Sequence, residues 1–293
     1  MHSTPMQSVT THVPGTTANL GPGYDCLGIA LGLSNRVTVS RTDSGAASYK
    51  PSGAAMADQA ASLFFAQTGL APFPFAWNVE GEVPPSRGMG SSVTVRLGLL
   101  AGLNALSGSP LTRQQLFELC AQLEGHPDNA APAAFGGFTV AGGSSTARFT
   151  VDADLRFVLL IPDFEISTPE ARKVLPPHLD RLSAVSSCAN ACRITAAFAS
   201  QNYALLQGAF EDGLHQPFRQ ALIPFLPAVI RAGENAGALG GFLSGSGSTI
   251  CCVTLRDAGA VAAAMSAAAD RTACRTVVTA ADNEGMRIGV PSA

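Results

Sequence analysis

The chain has 293 residues, of which 46% are hydrophobic and 13% charged, with a formal net charge of −3. It can bury a sizeable core, and no Lys/Arg block marks it as a binder of nucleic acid or of an anionic membrane surface. No run of about 18 apolar residues argues for a membrane span, and the opening MHSTPMQSVTTHVPG lacks the charged head and apolar run expected of a signal peptide. Seven scattered cysteines, odd in number and without a Cys-x-x-Cys pair, read as reduced thiols of a cytosolic protein. Cys188 and Cys192, four apart in a helical stretch, have no His or carboxylate at ligand spacing and read as packing residues. Lys50 and Lys173 are the only lysines. No Gly-Lys-Ser/Thr occurs, which excludes a Walker A loop, and Rossmann, nucleophile-elbow and zinc-helix signatures are also missing.

In chain order, Ser8 to His12 alternates as a strand does, and RVTVSR at Arg36 to Arg41 reads as another. Ala54 to Phe65 suits a short helix, and Trp77 to Glu82 a third strand. After Arg87-Gly88-Met89-Gly90-Ser91-Ser92 an apolar run to Leu106 reads as a helix buried on nearly every side. In the next helix Thr112 and Gln115 form a capping box, Leu111 and Leu116 a hydrophobic staple, and Gly125 the stop. FVLLI from Phe157 is a buried-strand run. Helices are expected at Ala184 to Ala199, Tyr203 to Glu211 and Leu226 to Gly237. A strand, a Gly/Ser turn and a strand follow within Leu239 to Thr254, and a last helix and strand close the chain. With no repeat or linker, the two halves are expected to share a cleft.

Five segments carry polar chemistry. Thr17-Ala18-Asn19-Leu20-Gly21-Pro22-Gly23-Tyr24-Asp25 is a tight turn with an amide and a carboxylate at its ends. Pro84 to Ser92, PPSRGMGSS, opens a helix whose N–H groups suit an anion, although Ser91 and Ser92 are also ordinary N-caps. Glu118, followed by Glu124-Gly125-His126-Pro127-Asp128-Asn129, places carboxylates and an imidazole where Mg²⁺ and a polar ligand could sit. By periodicity, however, Glu118 lies opposite the Leu116/Cys120/Leu123 stripe and reads as a solvated residue. In Ile166-Ser167-Thr168-Pro169-Glu170-Ala171-Arg172 the helix starts at Thr168, so Arg172 falls in its first turns, where the dipole disfavours a cation and an anionic partner is hinted at. Leu243 to Thr249, LSGSGST, reads by default as a hairpin turn.

Singly these motifs are ambiguous, but their order resembles that of the GHMP kinases, with TTANLGPGYDCLGIAL, RGMGSS, EGHPDNAAPAAFGGF, ISTPEAR and FLSGSGSTICCV in sequence. HPDNAAPA and ISTPEAR resemble the branch that phosphorylates homoserine. The resemblance implies an α+β, two-domain GHMP kinase fold: a ribosomal protein S5 domain 2-like N-terminal domain over residues 1–153 and a ferredoxin-like C-terminal domain over 154–293. It implies ATP, Mg²⁺ and homoserine as partners, and a homodimer. By motif, Asn19, Asp25, His126, Asp128, Arg172 and Arg219 surround homoserine. The arginines suit its carboxylate, and Asp25 and Asp128 its ammonium. Pro85, Ser86, Arg87, Gly88, Met89, Gly90, Ser91 and Ser92 line the nucleotide phosphates, with Gly245 and Gly247 letting a loop pass close by. Ser92 and Glu118 hold Mg²⁺, Glu118 then facing the cleft, and Asn19, Ser92, Glu118 and Thr168 act in catalysis.

The sequence departs from the family pattern at Ser86 and Ser248, where glycine and proline are usual, at Val93, where alanine is usual, and at Arg96, in a helix otherwise lined by small residues. Ala55-Met56-Ala57 stands where an Asn often helps hold adenine. Two other readings remain: a relative acting on mevalonate or shikimate, and an inactive binding protein.

Overall fold

The computed structural model describes residues 7–42, 54–142, 145–269 and 272–289; the first six residues of the stretch read for a signal peptide, and Lys50, lie outside them. The Ser8–His12 alternation opens a longer strand, β1 (Ser8–Ala18), antiparallel to β2 (Leu27–Arg41). Burial alternates as far as His12 and is continuous from Val13 to Ala18, which is why the period-two signal fades there. The next elements are α1 (Ala54–Thr68), β3 (Phe75–Gly81), α2 (Ser91–Leu106), α3 (Arg113–Glu124), α4 (Ala130–Phe135), β4 (Phe138–Gly142) and β5 (Ser145–Phe149). The second half holds β6 (Arg156–Pro162), α5 (Thr168–Lys173), α6 (Arg181–Ser200), α7 (Gln216–Arg219), α8 (Leu226–Asn235), β7 (Gly240–Leu243), β8 (Ile250–Thr254), α9 (Ala258–Ala268), β9 (Cys274–Thr279) and β10 (Arg287–Gly289).

One sheet runs β10-β1-β2-β4-β5, with β3 beside the outer part of β2; the other runs β7-β8-β6-β9, and every pairing is antiparallel. Counted from β6, the second order is second-third-first-fourth strand, the split β-α-β arrangement of ferredoxin-like domains. A division at residues 153 and 154 falls just ahead of β6, but β10 returns to the first sheet.

Three clusters form the core. Helices α1 to α4 cover one face of the first sheet through Phe64, Leu97, Leu100 and Phe117. A Cβ on Gly98 or Gly102 would come within 2.5 Å of Val37 or Val39, so α2 rests on β2 almost backbone to side chain. A second cluster, with Ile29, Phe138, Phe157, Leu159, Phe198 and Phe242, lies between the halves, and Phe138 stacks on Phe198 with centroids 4.3 Å apart. The third packs α8 and α9 on the far side of β6. Phe157, Leu159 and Ile161 belong to the second cluster and Val158 and Leu160 to the third. Burial on both faces explains the unbroken apolar run.

The capping box forms as expected: Thr112 Oγ1 accepts from Gln115 N (3.3 Å), Gln115 Oε1 accepts from Thr112 N (2.9 Å), and Gly125 ends the helix at φ 82°. Thr112→Ala is therefore expected to lower the unfolding free energy by about 1 kcal/mol, seen as a lower urea midpoint at unchanged slope. The expected helix at Tyr203 to Glu211 is a single 3₁₀ turn, Tyr203–Leu206, after which Gly208 takes a left-handed φ of 70° that no helix continues. The β4–β5 hairpin and β10 gave no sequence signal.

Candidate active site

The motifs converge on a cleft of about 510 Å³ between the two halves. Its first wall is the loop after β1, where Asn19, Leu20, Gly21 and Asp25 all have left-handed φ of 48–72°. Such angles are uncommon outside glycine and need fixed partners. Asn19 supplies them: its Oδ1 accepts from Asp25 N (2.9 Å) and its Nδ2 donates to the Gly245 carbonyl (3.0 Å). The amide thus ties the loop to itself and to the β7–β8 turn.

The Gly-rich segment forms the floor. Ser86, at a usual glycine position, carries φ 53°, and Gly88 and Gly90 have φ 70° and 67°. A Cβ on Gly88 would run into the Ser244 carbonyl oxygen, and Ser244 Oγ donates to the Gly88 carbonyl (2.7 Å). Gly245 and Ser246 reach the cleft wall, while Gly247 lies behind them against Gly88. The N-cap of α2 is Gly90, with no side-chain cap, so Ser91 and Ser92 are its first two helical residues rather than caps. Uncapped N–H groups at a helix start facing a cleft suit an anion.

Glu118 is corrected. It is exposed, accepts from Gln114 Nε2 (2.9 Å) and does not line the cleft. Glu124 does: its Oε2 accepts from Ser92 Oγ (2.9 Å) and its Oε1 from Arg96 Nη1 (2.7 Å). Six residues of helix separate the two carboxylates by about 600°, leaving them roughly 120° apart around the axis. Only the C-terminal end of α3 reaches the cleft. The available signal was adjacency, since Glu124 directly precedes Gly125-His126-Pro127-Asp128.

At the other end, ligand atoms of Asp25, His126 and Asp128 all lie within 4.8 Å of one another. His126 Nδ1 is 2.5 Å from Asp128 Oδ1, and this hydrogen bond raises the imidazole above its ordinary pKa. Arg172 Nη2 donates to both oxygens of Asp25 (2.9 and 3.0 Å), and its Nη1 to Tyr24 Oη (2.8 Å). Because α5 is only six residues long, Arg172 lies in its last turn, not its first, and the dipole argument for an anionic partner fails. Arg219 is buried, 2% exposed, without an acidic partner among the described residues. Burial lowers its pKa below the ordinary value. Tyr24 sits under both guanidiniums, 5.6 and 5.4 Å from its ring centre.

Thr168, first residue of α5, lines the cleft with Pro85, Arg87 and Met89. Sequence reasoning missed Tyr24 and Asn129, which lines the cleft and accepts from Thr16 Oγ1 (2.7 Å). Met56, Trp77, Val79 and Val83 form an apolar end. Asn35 lies there too, but its amide is engaged by Val83 N and Thr94 Oγ1. The cleft thus offers, in order, an apolar slot, an anion-binding helix start with two hard oxygen donors, and a paired acid–base end.

Family models match in both halves: GHMP kinases N terminal domain over residues 54–137 and GHMP kinases C terminal over 194–271. A homoserine kinase of Trichormus variabilis is 40% identical, the match covering 93% of this chain and 95% of the relative. One of Microchaete diplosiphon is 39% identical over 97% and 95%. The crystal structure of a homoserine kinase from Cytophaga hutchinsonii superposes with a TM-score of 0.88 over 98% of this chain and 99% of that one, at 23% identity, a likeness of fold.

Proposed function

This chain belongs to the GHMP kinase family, among the homoserine kinases, and on that premise we propose that Asp25, Asp128, Arg172 and Arg219 hold the homoserine zwitterion while the Gly88–Ser92 turn presents the γ-phosphate of ATP to its hydroxyl. The observation that carries this reading is the Asp25–Arg172 ion pair beside the unpaired Arg219. An incoming amino acid exchanges that one pair for two, ammonium on Asp25 and carboxylate on the arginines, so no charge is left buried alone. Mevalonate and shikimate bring a carboxylate but no ammonium, and would face Asp25 and Asp128 uncompensated. An inactive binding protein would have no need of the Ser92–Glu124 pairing at the start of α2.

Magnesium fits the same place. Ser92 Oγ and Glu124 Oε2 are hard donors 2.9 Å apart, the kind of sparse oxygen set that Mg²⁺ completes with substrate phosphates. Held there by Ser92 and Glu124, the ion would supply charge neutralisation for the transferring phosphoryl group. This chain's own residues position the reactants: the α2 N–H groups bind the phosphates, Asn19 and Asn129 hold the loops, and the acid–base end aligns the acceptor hydroxyl. No side chain serves as base. A threonine hydroxyl at Thr168 cannot accept a proton near neutral pH, Asp25 is engaged by the acceptor's ammonium, and His126 by Asp128. The γ-phosphate oxygens take the hydroxyl proton as transfer proceeds, which a loose transition state tolerates.

A coupled assay of ADP release with homoserine, mevalonate, shikimate or no acceptor tests the assignment; release that depends on homoserine alone is expected, and release with mevalonate but not homoserine would reject it. Thr168→Ala should lower kcat by less than about tenfold, whereas loss of a general base typically costs about 10²–10⁴-fold. A loss of that size with unchanged KM values would restore a base at this position. No helix among the described residues is long and apolar enough to cross a membrane; the free thiols of all seven cysteines support a cytoplasmic enzyme. Leu182 and Val185, exposed side by side on α6, offer the surface for a second copy.

A further inference from the structure

A guanidinium reads a carboxylate only when its fork is held in one direction. Arg219 Nε donates to the Ala171 carbonyl (3.1 Å), and Nη1 donates to the Gly245 carbonyl (2.9 Å) and to Nδ1 of His215 (3.2 Å). These bonds use the Nε–H and both Nη1–H groups, so the two N–H groups of Nη2 are left for a ligand. His215 is fully buried, and its Nε2 lies 2.8 Å from the Gly21 carbonyl oxygen. A carbonyl only accepts, so Nε2 carries the proton and Nδ1 presents its lone pair to Arg219. Burial is the main cause that holds the ring neutral, bringing its pKa down to about 4. Asp212 Oδ2, 3.4 Å from Nε2, is already occupied by the backbone N–H groups of His215 and Gln216. The Tyr24 ring closes the other side, 5.2 Å between centroids.

We infer that His215 is a positioning residue for acceptor recognition: it receives an N–H of Arg219, aims Nη2 at the acceptor carboxylate, and through the Gly21 carbonyl locks that arginine to the loop carrying Asp25. The carboxylate and ammonium ends of an amino-acid acceptor are thereby read by one rigid unit, at a histidine that touches neither. The inference rests on Arg219 being the carboxylate partner.

The test compares His215→Leu, His215→Asn and His215→Gln, each alone and with Arg219→Ala, using homoserine and its decarboxylated analogue 3-aminopropan-1-ol as acceptors. A glutamine can both donate to Gly21 and accept from Arg219; the shorter asparagine cannot span both and stands in if the leucine variant does not fold. His215→Leu and His215→Asn should raise the KM for homoserine about tenfold to a hundredfold, the range for a hydrogen bond to a charged group, with kcat and the KM for ATP within about threefold. His215→Gln should recover most of the loss. In the Arg219→Ala background the His215 changes should add nothing, and 3-aminopropan-1-ol should be used equally by all variants. Equal losses for ATP and homoserine, additive losses with Arg219→Ala, or an equal penalty on 3-aminopropan-1-ol would overturn the role of His215. An Arg219→Ala enzyme with an unchanged homoserine KM would instead remove the reading on which it rests.

Discussion

Glu124→Ala should lower kcat by about 10²–10³-fold, the usual consequence of removing one group that stabilises transition-state charge, whereas Glu118→Ala should leave activity within about twofold. The contrast follows from position alone. Glu124 meets the Ser92 hydroxyl at the start of α2, and Glu118 bonds only to Gln114 on the exposed side of α3. Glu124→Ala also releases Nη1 of Arg96, whose guanidinium is then held only through Nη2 on Gln59 Oε1 (3.4 Å). A loose cation beside the phosphates should partly sustain nucleotide binding, so ATP affinity should fall less than kcat and lose most of its dependence on Mg²⁺. Isothermal titration with ATP, with and without Mg²⁺, reads this directly. Near-normal kcat in Glu124→Ala, or severe loss in Glu118→Ala, would reverse the correction.

Arg219→Ala should reduce kcat/KM for homoserine by about 30- to several thousand-fold, which corresponds to the roughly 2–5 kcal/mol lost when one partner of a desolvated charge pair is truncated. The KM for ATP should change by less than about threefold. Arg172→Ala should cost less. Its side chain is 38% exposed, and its present partner Asp25 is 33% exposed, so water screens what remains, and Asp25 stays available for the ammonium. Steady-state kinetics varying each substrate separate these outcomes. An Arg172→Ala loss exceeding that of Arg219→Ala would mean that the exposed guanidinium carries the carboxylate.

The contrast between Glu118 and Glu124 shows where the sequence was legible and where it was not. Local rules succeeded where local forces decide: the Thr112 capping box, the Gly125 stop, the RGMGSS helix entrance and the doubly buried FVLLI strand all stand where periodicity and caps put them. Asn19, Asp25, His126 and Asp128 line one cleft, a meeting that the family resemblance implied and that no local rule within either turn could supply. What failed depended on long-range geometry. Helical phase within α3 placed Glu118 on the solvated side, where it stands; the resemblance gave it to Mg²⁺ instead, and which end of α3 reaches the cleft, bringing Glu124 there, is set by how α2 and α3 pack. The short reach of α5 reversed the dipole argument at Arg172. Tyr24 meets Arg219 across the fold, and although it stands inside TTANLGPGYDCLGIAL nothing in that segment points to an arginine far along the chain; His215, four residues before Arg219, offered only its spacing. β10 is three residues long, and its partner β1 lies at the other end of the sequence.

Transfer of the γ-phosphoryl group to the side-chain oxygen of homoserine is read without a coupling enzyme by ³¹P NMR of the reaction mixture. With ATP, Mg²⁺ and homoserine, a phosphomonoester resonance coupled to two methylene protons is expected, growing in step with ADP and absent when homoserine is omitted. ADP accompanied by inorganic phosphate alone, or an ester that forms without homoserine, would contradict it.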